Sequence, residues 1–274
     1  MLERILVPLD GSETAEAVLI QVRRLLKRKD AEVLLLRVAE TDWLPTAESR
    51  RLAEELPKLA QAYIRETAER LEREGVRVRG LIAGGATAAE IIATAADQKA
   101  SLIAMTTHGR SGLLRFTLGS VAEKVLRASP VPVLVIRSET PTPHELDFKT
   151  LLVPVDGSER SIEVLPIASE FARTYGARIL VVTANDSGED IDDVVQRTVG
   201  MFVAVGNPAD GEVVEGDAAS AILDVARRRS VDAIAMATHG RGGPLRWMLG
   251  SVTEKVVRAA RVPLLVVRTR EQRL

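Results

Sequence analysis

The segment from Thr107-His108-Gly109-Arg110 to Gly119-Ser120-Val121-Ala122-Glu123-Lys124-Val125 returns nearly unchanged as Thr238-His239-Gly240-Arg241 to Gly250-Ser251-Val252-Thr253-Glu254-Lys255-Val256. The chain is therefore a tandem duplication, and any fold assigned to one half must be assigned to both. Gly109 and Gly240 are 240 − 109 = 131 residues apart, and the same offset relates Ser120 to Ser251 and Val135 to Val266. Near the start of each copy, Val7-Pro8-Leu9-Asp10-Gly11-Ser12 matches Val153-Pro154-Val155-Asp156-Gly157-Ser158 at an offset of 156 − 10 = 146. The second copy is thus 146 − 131 = 15 residues shorter in its middle.

With 274 residues and 46% hydrophobic content the chain can bury two cores of ordinary domain size. A formal net charge of −1 gives no general attraction to nucleic acid or to anionic lipid. The absence of cysteine removes disulfides, thiolate nucleophiles and thiolate metal ligands, and it favours a reducing compartment, so the cytoplasm is the expected location. The apolar run at the start is too short for a signal peptide and no window reaches the length of a membrane span, so neither a secreted nor a membrane protein is expected.

Short β-branched or aliphatic runs alternate with longer amphipathic segments, the pattern of strands that cross over through helices into a parallel sheet. In the first copy, strands are predicted near Arg4 to Leu9, Glu32 to Val38, Val76 to Ala83, Leu102 to Thr106 and Val133 to Arg137. Helices are predicted near Glu13 to Lys29, Ala47 to Glu74, Ala86 to Asp97 and Ser120 to Ala128. In the second copy, strands are predicted near Thr150 to Val155, Arg178 to Ala184, Gly211 to Glu215, Ala233 to Ala237 and Leu264 to Arg268. There a brief helix around Val194 to Val205 replaces the long one. The expected fold is α/β, with two doubly wound domains, each a five-stranded parallel sheet of order 3-2-1-4-5 with helices on both faces. Domain boundaries are drawn at 1–138 and 149–274, with 139–148 a proline-containing linker. The terminal strands at 131–137 and 262–268 are long apolar edges, which a protein covers or pairs. The simplest solution is that they pair with each other in a pseudo-twofold arrangement, with packing beneath a loop as the alternative.

Asp10 and Asp156 fall at the ends of first strands, just before a Gly-Ser pair that starts a helix. They fit an Asx turn and helix cap, with Ser12 and Ser158 as N-caps, and they also fit a ligand contact, because strands one and four border the crevice of such a sheet. Gly109 and Gly119 could punctuate turns. Alternatively, amides near Gly109 and Gly112, with the helix start at Gly119, Ser120 and Val121, could hold a chain of phosphates, the serine hydroxyl adding a bond. No Walker lysine has the required spacing. His108 and His239 read as turn residues at a cleft edge more readily than as acid–base groups, and with His144 the only other histidine a zinc site is not expected. Arg110 and Arg241 suit phosphate contact or solvent equally. Lys124 and Lys255 read as surface charge.

These motifs together resemble the universal stress protein family in its tandem form. The likeness rests on Ile5-Leu6-Val7-Pro8-Leu9-Asp10-Gly11-Ser12, His108-Gly109-Arg110, Leu118 to Val125 and Pro132-Val133-Leu134-Val135, each with its second-copy counterpart. The resemblance implies a Rossmann-like fold of the adenine nucleotide alpha hydrolase type and, in the nucleotide-binding branch, ATP or AMP held by a Gly-x2-Gly-x9-Gly-Ser/Thr motif. ADP and an accompanying Mg2+ are compatible with it. It implies that Asp10 lies beside base and ribose, that the backbone of Val38 reads the adenine edge, and that Gly109, Gly119, Ser120 and Val121 hold ribose and phosphates. Pro8, Met105, Thr106, His108, Arg110 and Gly112 complete the first expected lining. The second site would use Pro154, Asp156, Ala184, Met236, Ala237, His239, Gly240, Arg241, Gly243, Gly250, Ser251 and Val252.

Both copies depart from the motif at its first glycine, which is Thr106 in one and Ala237 in the other. In the second copy Asp186, Glu189, Asp190, Asp192 and Asp193 follow the second strand and would oppose a polyphosphate unless a cation intervened, so the first site is expected to bind more tightly. The reading that follows is a cytoplasmic stress-response protein that binds adenine nucleotide as a regulatory ligand. Domain pairing within the chain and a homodimer are expected, with no nucleic acid or membrane partner. A slow ATPase and an interaction protein with vestigial pockets are the alternatives.

Overall fold

A computed structural model describes residues 2–26, 31–39, 47–107, 118–137, 140, 147–185, 192–238 and 249–269, with side chains of the long helix described from residue 55 onward. The first half runs β1 (Arg4–Pro8), α1 (Glu13–Glu16), α2 (Val18–Leu26), β2 (Glu32–Ala39), α3 (Ala47–Arg73), β3 (Arg77–Gly84), α4 (Thr87–Asp97), β4 (Leu102–Thr106), α5 (Ser120–Ala128) and β5 (Val133–Ile136). The second half runs β6 (Thr150–Pro154), a 3₁₀ turn (Ser161–Val164), α6 (Leu165–Tyr175), β7 (Arg178–Asn185), α7 (Asp192–Ala204), β8 (Ala209–Glu215), α8 (Ala218–Arg228), β9 (Ala233–Ala237), α9 (Ser251–Ala259) and β10 (Leu264–Val267). No helix among the described residues is long and apolar enough to cross a membrane.

All ten strands form one sheet in the order β3-β2-β1-β4-β5-β10-β9-β6-β7-β8. Every pairing is parallel except that of β5 with β10. There Leu264 lies opposite Val135, Leu265 opposite Leu134 and Val266 opposite Val133. Since Val133, Leu134 and Val135 correspond through the 131-residue offset to Leu264, Leu265 and Val266, the register is centred on the Leu134–Leu265 pair and relates the halves by a local pseudo-twofold. Strand alternation sends successive side chains to opposite faces. One face buries Ile5, Val7, Leu35, Leu134, Leu265 and Val153 with α2 and α6, and the other buries Leu6, Leu34, Val135, Val266 and Leu152 with α5 and α9. Each core runs unbroken across the seam.

Two departures from the predicted elements have local causes. The first helix divides at Ala17, whose N–H reaches the carbonyls of both Ala15 and Glu13. In the second half Pro166 lies in the first turn of α6, where a missing N–H is tolerated, and the turn before it tightens to 3₁₀. Pro57 sits inside α3, removing one backbone bond without ending the helix. Equivalent glycines let the helices settle on the third strands. A Cβ on Gly80 would stand 2.5 Å from Ile64 of α3, and one on Gly211 would stand 2.2 Å from Val195 of α7.

The halves are also tied by a polar anchor. Arg24 of α2 is 2% exposed and its guanidinium lies 3.9 Å from the ring centroid of Phe148. It donates to Gln21 Oε1 at 3.0 Å and to the Asp147 carbonyl at 3.0 Å, with Asp232 Oδ1 at 3.5 Å. Burial pulls its pKa down, and Asp232 and then Asp147 oppose that shift. Phe148 ends the segment read as linker, yet it is 1% exposed and packs edge-on against Phe171 and Tyr175. The Tyr175 hydroxyl donates to the Leu25 carbonyl at 2.9 Å. Breaking a buried ion pair costs about 3–5 kcal/mol, and partial hydration of Asp232 lowers this, so Arg24→Ala is expected to lose about 2–3 kcal/mol in urea unfolding. Arg24→Met, which keeps a stem over Phe148, should lose less. A loss for the alanine variant within the ~0.5 kcal/mol typical of surface sites would contradict the anchor.

Candidate functional site

β1 ends before its neighbour does. Its last bond into β2 is Leu9 N–H to the Leu36 carbonyl at 2.8 Å, and β2 continues to Ala39. On the other side of β1 the chain leaves β4 at Thr106. The connection after β1 packs Val18, Leu19 and Val22 on one face of the sheet, while that after β4 packs Ala122, Val125 and Leu126 on the opposite face. Connections departing in opposite directions open a crevice at the carboxyl ends of the strands. A cavity of about 630 Å³ occupies it.

Of the residues singled out in the first half, Pro8, Asp10, Val38, Met105, Thr106, Gly119, Ser120 and Val121 line this cavity. His108, Gly109, Arg110 and Gly112 lie outside the described residues, as do His239, Gly240, Arg241 and Gly243. In the second half Pro154, Asp156, Ala184, Met236, Ala237, Gly250, Ser251 and Val252 occupy the corresponding ends of β6, β7 and β9 and the start of α9.

Asp10 combines the two roles read for it. Its Oδ1 accepts from the Ser12 amide at 3.0 Å and the Ser12 hydroxyl at 2.6 Å, an Asx turn across Gly11, whose φ of +80° suits glycine. Ser12 in turn caps α1 by accepting from Ala15 N–H at 3.1 Å. Asp156 and Ser158 repeat the turn at 3.0 and 2.6 Å, and Ser158 accepts from Ser161 N–H at 3.1 Å. The turn fixes the Asp10 carboxylate beside the cavity that Asp10 lines.

Gly119 and Gly250 are not required by backbone conformation, since both have dihedrals open to any residue (φ −63°, ψ 143° and φ −56°, ψ 143°). Their lack of a side chain instead leaves a helix end bare. Among the described residues no side chain caps α5 or α9, whereas Ser12 caps α1 and Asp217 caps α8. The first backbone bond of α5 is Glu123 N–H to Gly119, which leaves the amides of Ser120, Val121 and Ala122 at the cavity with the positive end of the helix. Gly119 N–H is held by the Thr107 carbonyl at 2.9 Å, and Gly250 N–H by that of Thr238 at 2.9 Å.

Thr106 and Ala237, which replace the motif's first glycine, are each 6% exposed, and Thr106 lines the cavity. Sequence reasoning missed the wall supplied by α3, where Leu56, Leu59, Ala60 and Tyr63 border the cavity. Their i, i+3, i+4, i+7 spacing was visible but equally describes a core stripe, and Ala60 is indeed buried while Leu59 is 64% exposed. The Tyr63 hydroxyl donates to Glu16 Oε1 at 2.8 Å, and burial first, then this bond, pushes its pKa up, so it stays a neutral donor. In the second half the shorter α7 starts at Asp192, and Val194 stands where Tyr63 does.

Of the acidic residues following β7, Asp186, Glu189 and Asp190 lie outside the described residues. Asp192 and Asp193 are in the first turn of α7, where carboxylates are favourable, and Asp193 pairs with Arg197 at 3.0 Å. No group of three or more metal-ligating side chains converges among the described residues.

The universal stress protein family model matches residues 1–137 and 192–268. The chain belongs to the universal stress protein family. A relative from Methanocaldococcus jannaschii is 34% identical over 139 residues, covering 49% of this chain and 82% of that protein. One from Mycobacterium bovis is 28% identical over 187 residues, covering 63% of each. The crystal structure of a universal stress protein from Archaeoglobus fulgidus shares the fold at a TM-score of 0.81 and 24% identity, covering 97% of this chain and 98% of that one.

The two family units differ at the start of the helix after the third strand. Asp217, which stands where the first unit has Ala86, accepts from the amide and hydroxyl of Ser220 and pairs with Lys255 Nζ at 3.1 Å. The Ser220 bonds and then Lys255 pull its pKa down from 3.8 to about 2. A depressed carboxyl pKa contributes stability that is present above the unfolded value and lost as pH falls through the folded one. Asp217→Asn should therefore flatten the acid limb of thermal stability between pH ~4 and ~2. An acid limb unchanged from the parent chain would show that Asp217 is not held this way.

Proposed function

We propose that the protein is a cytoplasmic stress-response protein that binds adenine nucleotide, chiefly ATP, as a regulatory ligand at the carboxyl ends of each half-sheet. The observation that carries this reading is the bare N-terminus of α5 facing the same cavity as Asp10 and Val38. Three amides and a helix dipole suit a phosphate chain. The Asp10 carboxylate suits a ribose hydroxyl, and the Val38 backbone suits the edge of a base. The loop glycines Gly109 and Gly112, with Arg110, complete the phosphate cradle in this reading. The second site uses Asp156, Ala184, Gly240, Gly250, Ser251 and Val252 in the same roles.

The first site is the tighter of the two in this proposal. The stripe on α3 gives its ligand an apolar wall and Tyr63 a neutral hydroxyl, and the shortened second half replaces that tyrosine with Val194. Occupancy of the clefts biases how the halves, or two copies of the chain, present themselves to a partner.

Because Gly119 and Gly250 have ordinary dihedrals, a leucine at either position should fold and fill the space before the helix end. Calorimetric titration with ATP is expected to show two binding events in the parent chain, the tighter one weakened about a hundredfold (~2.7 kcal/mol) in Gly119→Leu and the weaker one in Gly250→Leu. Parent-like titrations in both variants would refute the phosphate assignment.

A further inference from the structure

Lys124 and Lys255 occupy the same position in the two halves, yet only one of them is held. Each stands one turn into a helix, α5 or α9, whose N-cap is a glycine. A helical side chain leans toward the N-terminus of its own helix, so each ammonium is directed back toward a positive helix end. In the second half the neighbouring helix supplies the counter-charge. Asp217, the N-cap of α8, pairs with Lys255 Nζ at 3.1 Å while accepting from the amide and hydroxyl of Ser220 at 3.0 and 2.9 Å.

The first half lacks that carboxylate. At the offset of 131 the counterpart of Asp217 is Ala86, the N-cap of α4, which has no polar side chain to offer. Glu123 is turned along its own helix to Arg127, as Glu254 is to Arg258, so these acids do not distinguish the halves. Lys124 is exposed and, among the described residues, makes no hydrogen bond or ion pair, not even with Glu90 in the first turn of α4. Helix α4 packs against α5 as α8 packs against α9, so the span from Lys255 to Asp217 is also the reach of Lys124 toward Ala86. Thr87, the next residue, lines the first cavity, and so do Ser120, Val121 and Ala122 at the start of α5. A cation is thus directed toward two helix starts that border one cavity, at a position where the other half carries an anion of its own.

Resting on the nucleotide reading above, we infer that Lys124 is a specificity-determining residue that pairs with the outer phosphates of a nucleoside triphosphate in the first cleft, whereas Asp217 withholds Lys255 from that role in the second half. The first cleft then selects triphosphate over monophosphate more strongly than the second. ATP and AMP are the probes, because they share base, ribose and the first phosphate. Both are titrated at one fixed salt concentration into the full chain carrying Gly250→Leu, which reads the first cleft, and into the chain carrying Gly119→Leu, which reads the second. In the first cleft Lys124→Ala should lower the ATP-to-AMP affinity ratio about tenfold, the effect of one charge-assisted contact, and Lys124→Arg should retain most of it. In the second cleft Lys255→Ala should leave the ratio within about twofold, since that lysine is already paired, and Asp217→Asn, which keeps a capping oxygen and releases the lysine, should raise it. A purely structural role for Lys124 would weaken ATP and AMP together. Equal weakening of the two, a ratio unchanged by Lys124→Ala, or a second cleft more selective for ATP than the first overturns the inference and leaves the nucleotide reading intact. If neither nucleotide binds the parent chain, the nucleotide reading itself fails and takes this inference with it.

Discussion

The antiparallel pairing of β5 with β10 is the contact on which the architecture depends. Each half-sheet would otherwise end in an apolar strand, Val133–Ile136 in one and Leu264–Val267 in the other, with a row of open backbone groups. Pairing them closes both edges at once and makes the two hydrophobic layers continuous across the molecule. Because Leu134 meets Leu265, the seam has no register freedom that would keep the same side chains buried: a slip of one residue would turn valines into the wrong layer. Arg24, Phe148 and Tyr175 then lock one face of the seam, using a cation over a ring and a buried hydroxyl bond where aliphatic packing alone would leave the angle between helices loosely fixed.

A shortfall of backbone pairing makes the cleft. β1 stops making bonds at Leu9 while β2 continues to Ala39, so Val38 presents backbone groups with no strand opposite them. The helices beside the crevice divide by how they are capped. Ser12 closes α1 with its own hydroxyl, held by the Asp10 turn, whereas Gly119 supplies nothing to α5. The same few residues thus stabilise one helix end and expose another, and the exposed end lies where an anion can reach it. Family membership and shared fold agree with this architecture without specifying what fills the cleft.

The duplication builds two units that are alike in their strand ends and helix starts and unlike in the helix after the second strand. The glycine pair Gly80 and Gly211 keeps the helix after the second strand pressed on the third strand in both halves, so the 15-residue difference falls at the free, N-terminal end of that helix. That end walls the first cavity through Leu56, Leu59, Ala60 and Tyr63. The replacement of Ala86 by Asp217 and of Arg37 by Thr183 also changes the charge at equivalent positions of the two halves. Divergence has therefore acted on the walls while the strand ends and helix starts were kept.

Repeat spacing, alternation and turn residues made most of the fold legible in the sequence, because each is a local rule: apolar residues at period two announce buried strands, and a Gly-Ser pair after a strand announces a helix start. The same rules located Asp10, Val38, Gly119 and Ser120, which lie at the ends of such elements. They could not show that Leu56, Leu59, Ala60 and Tyr63 face a cavity, because an amphipathic stripe looks the same whether it covers core or ligand space. Nor could they show that the Arg37 guanidinium folds back on the Val38 carbonyl, that Phe148 is core rather than linker, or that Arg24 is buried. Those outcomes depend on which surfaces, distant along the chain, are brought together and how far water is excluded between them. The sequence by itself determined two copies of a parallel α/β unit and the strand ends that could hold a ligand; the tertiary structure alone decided how the copies join and what lines the first cavity, since packing between remote elements sets both.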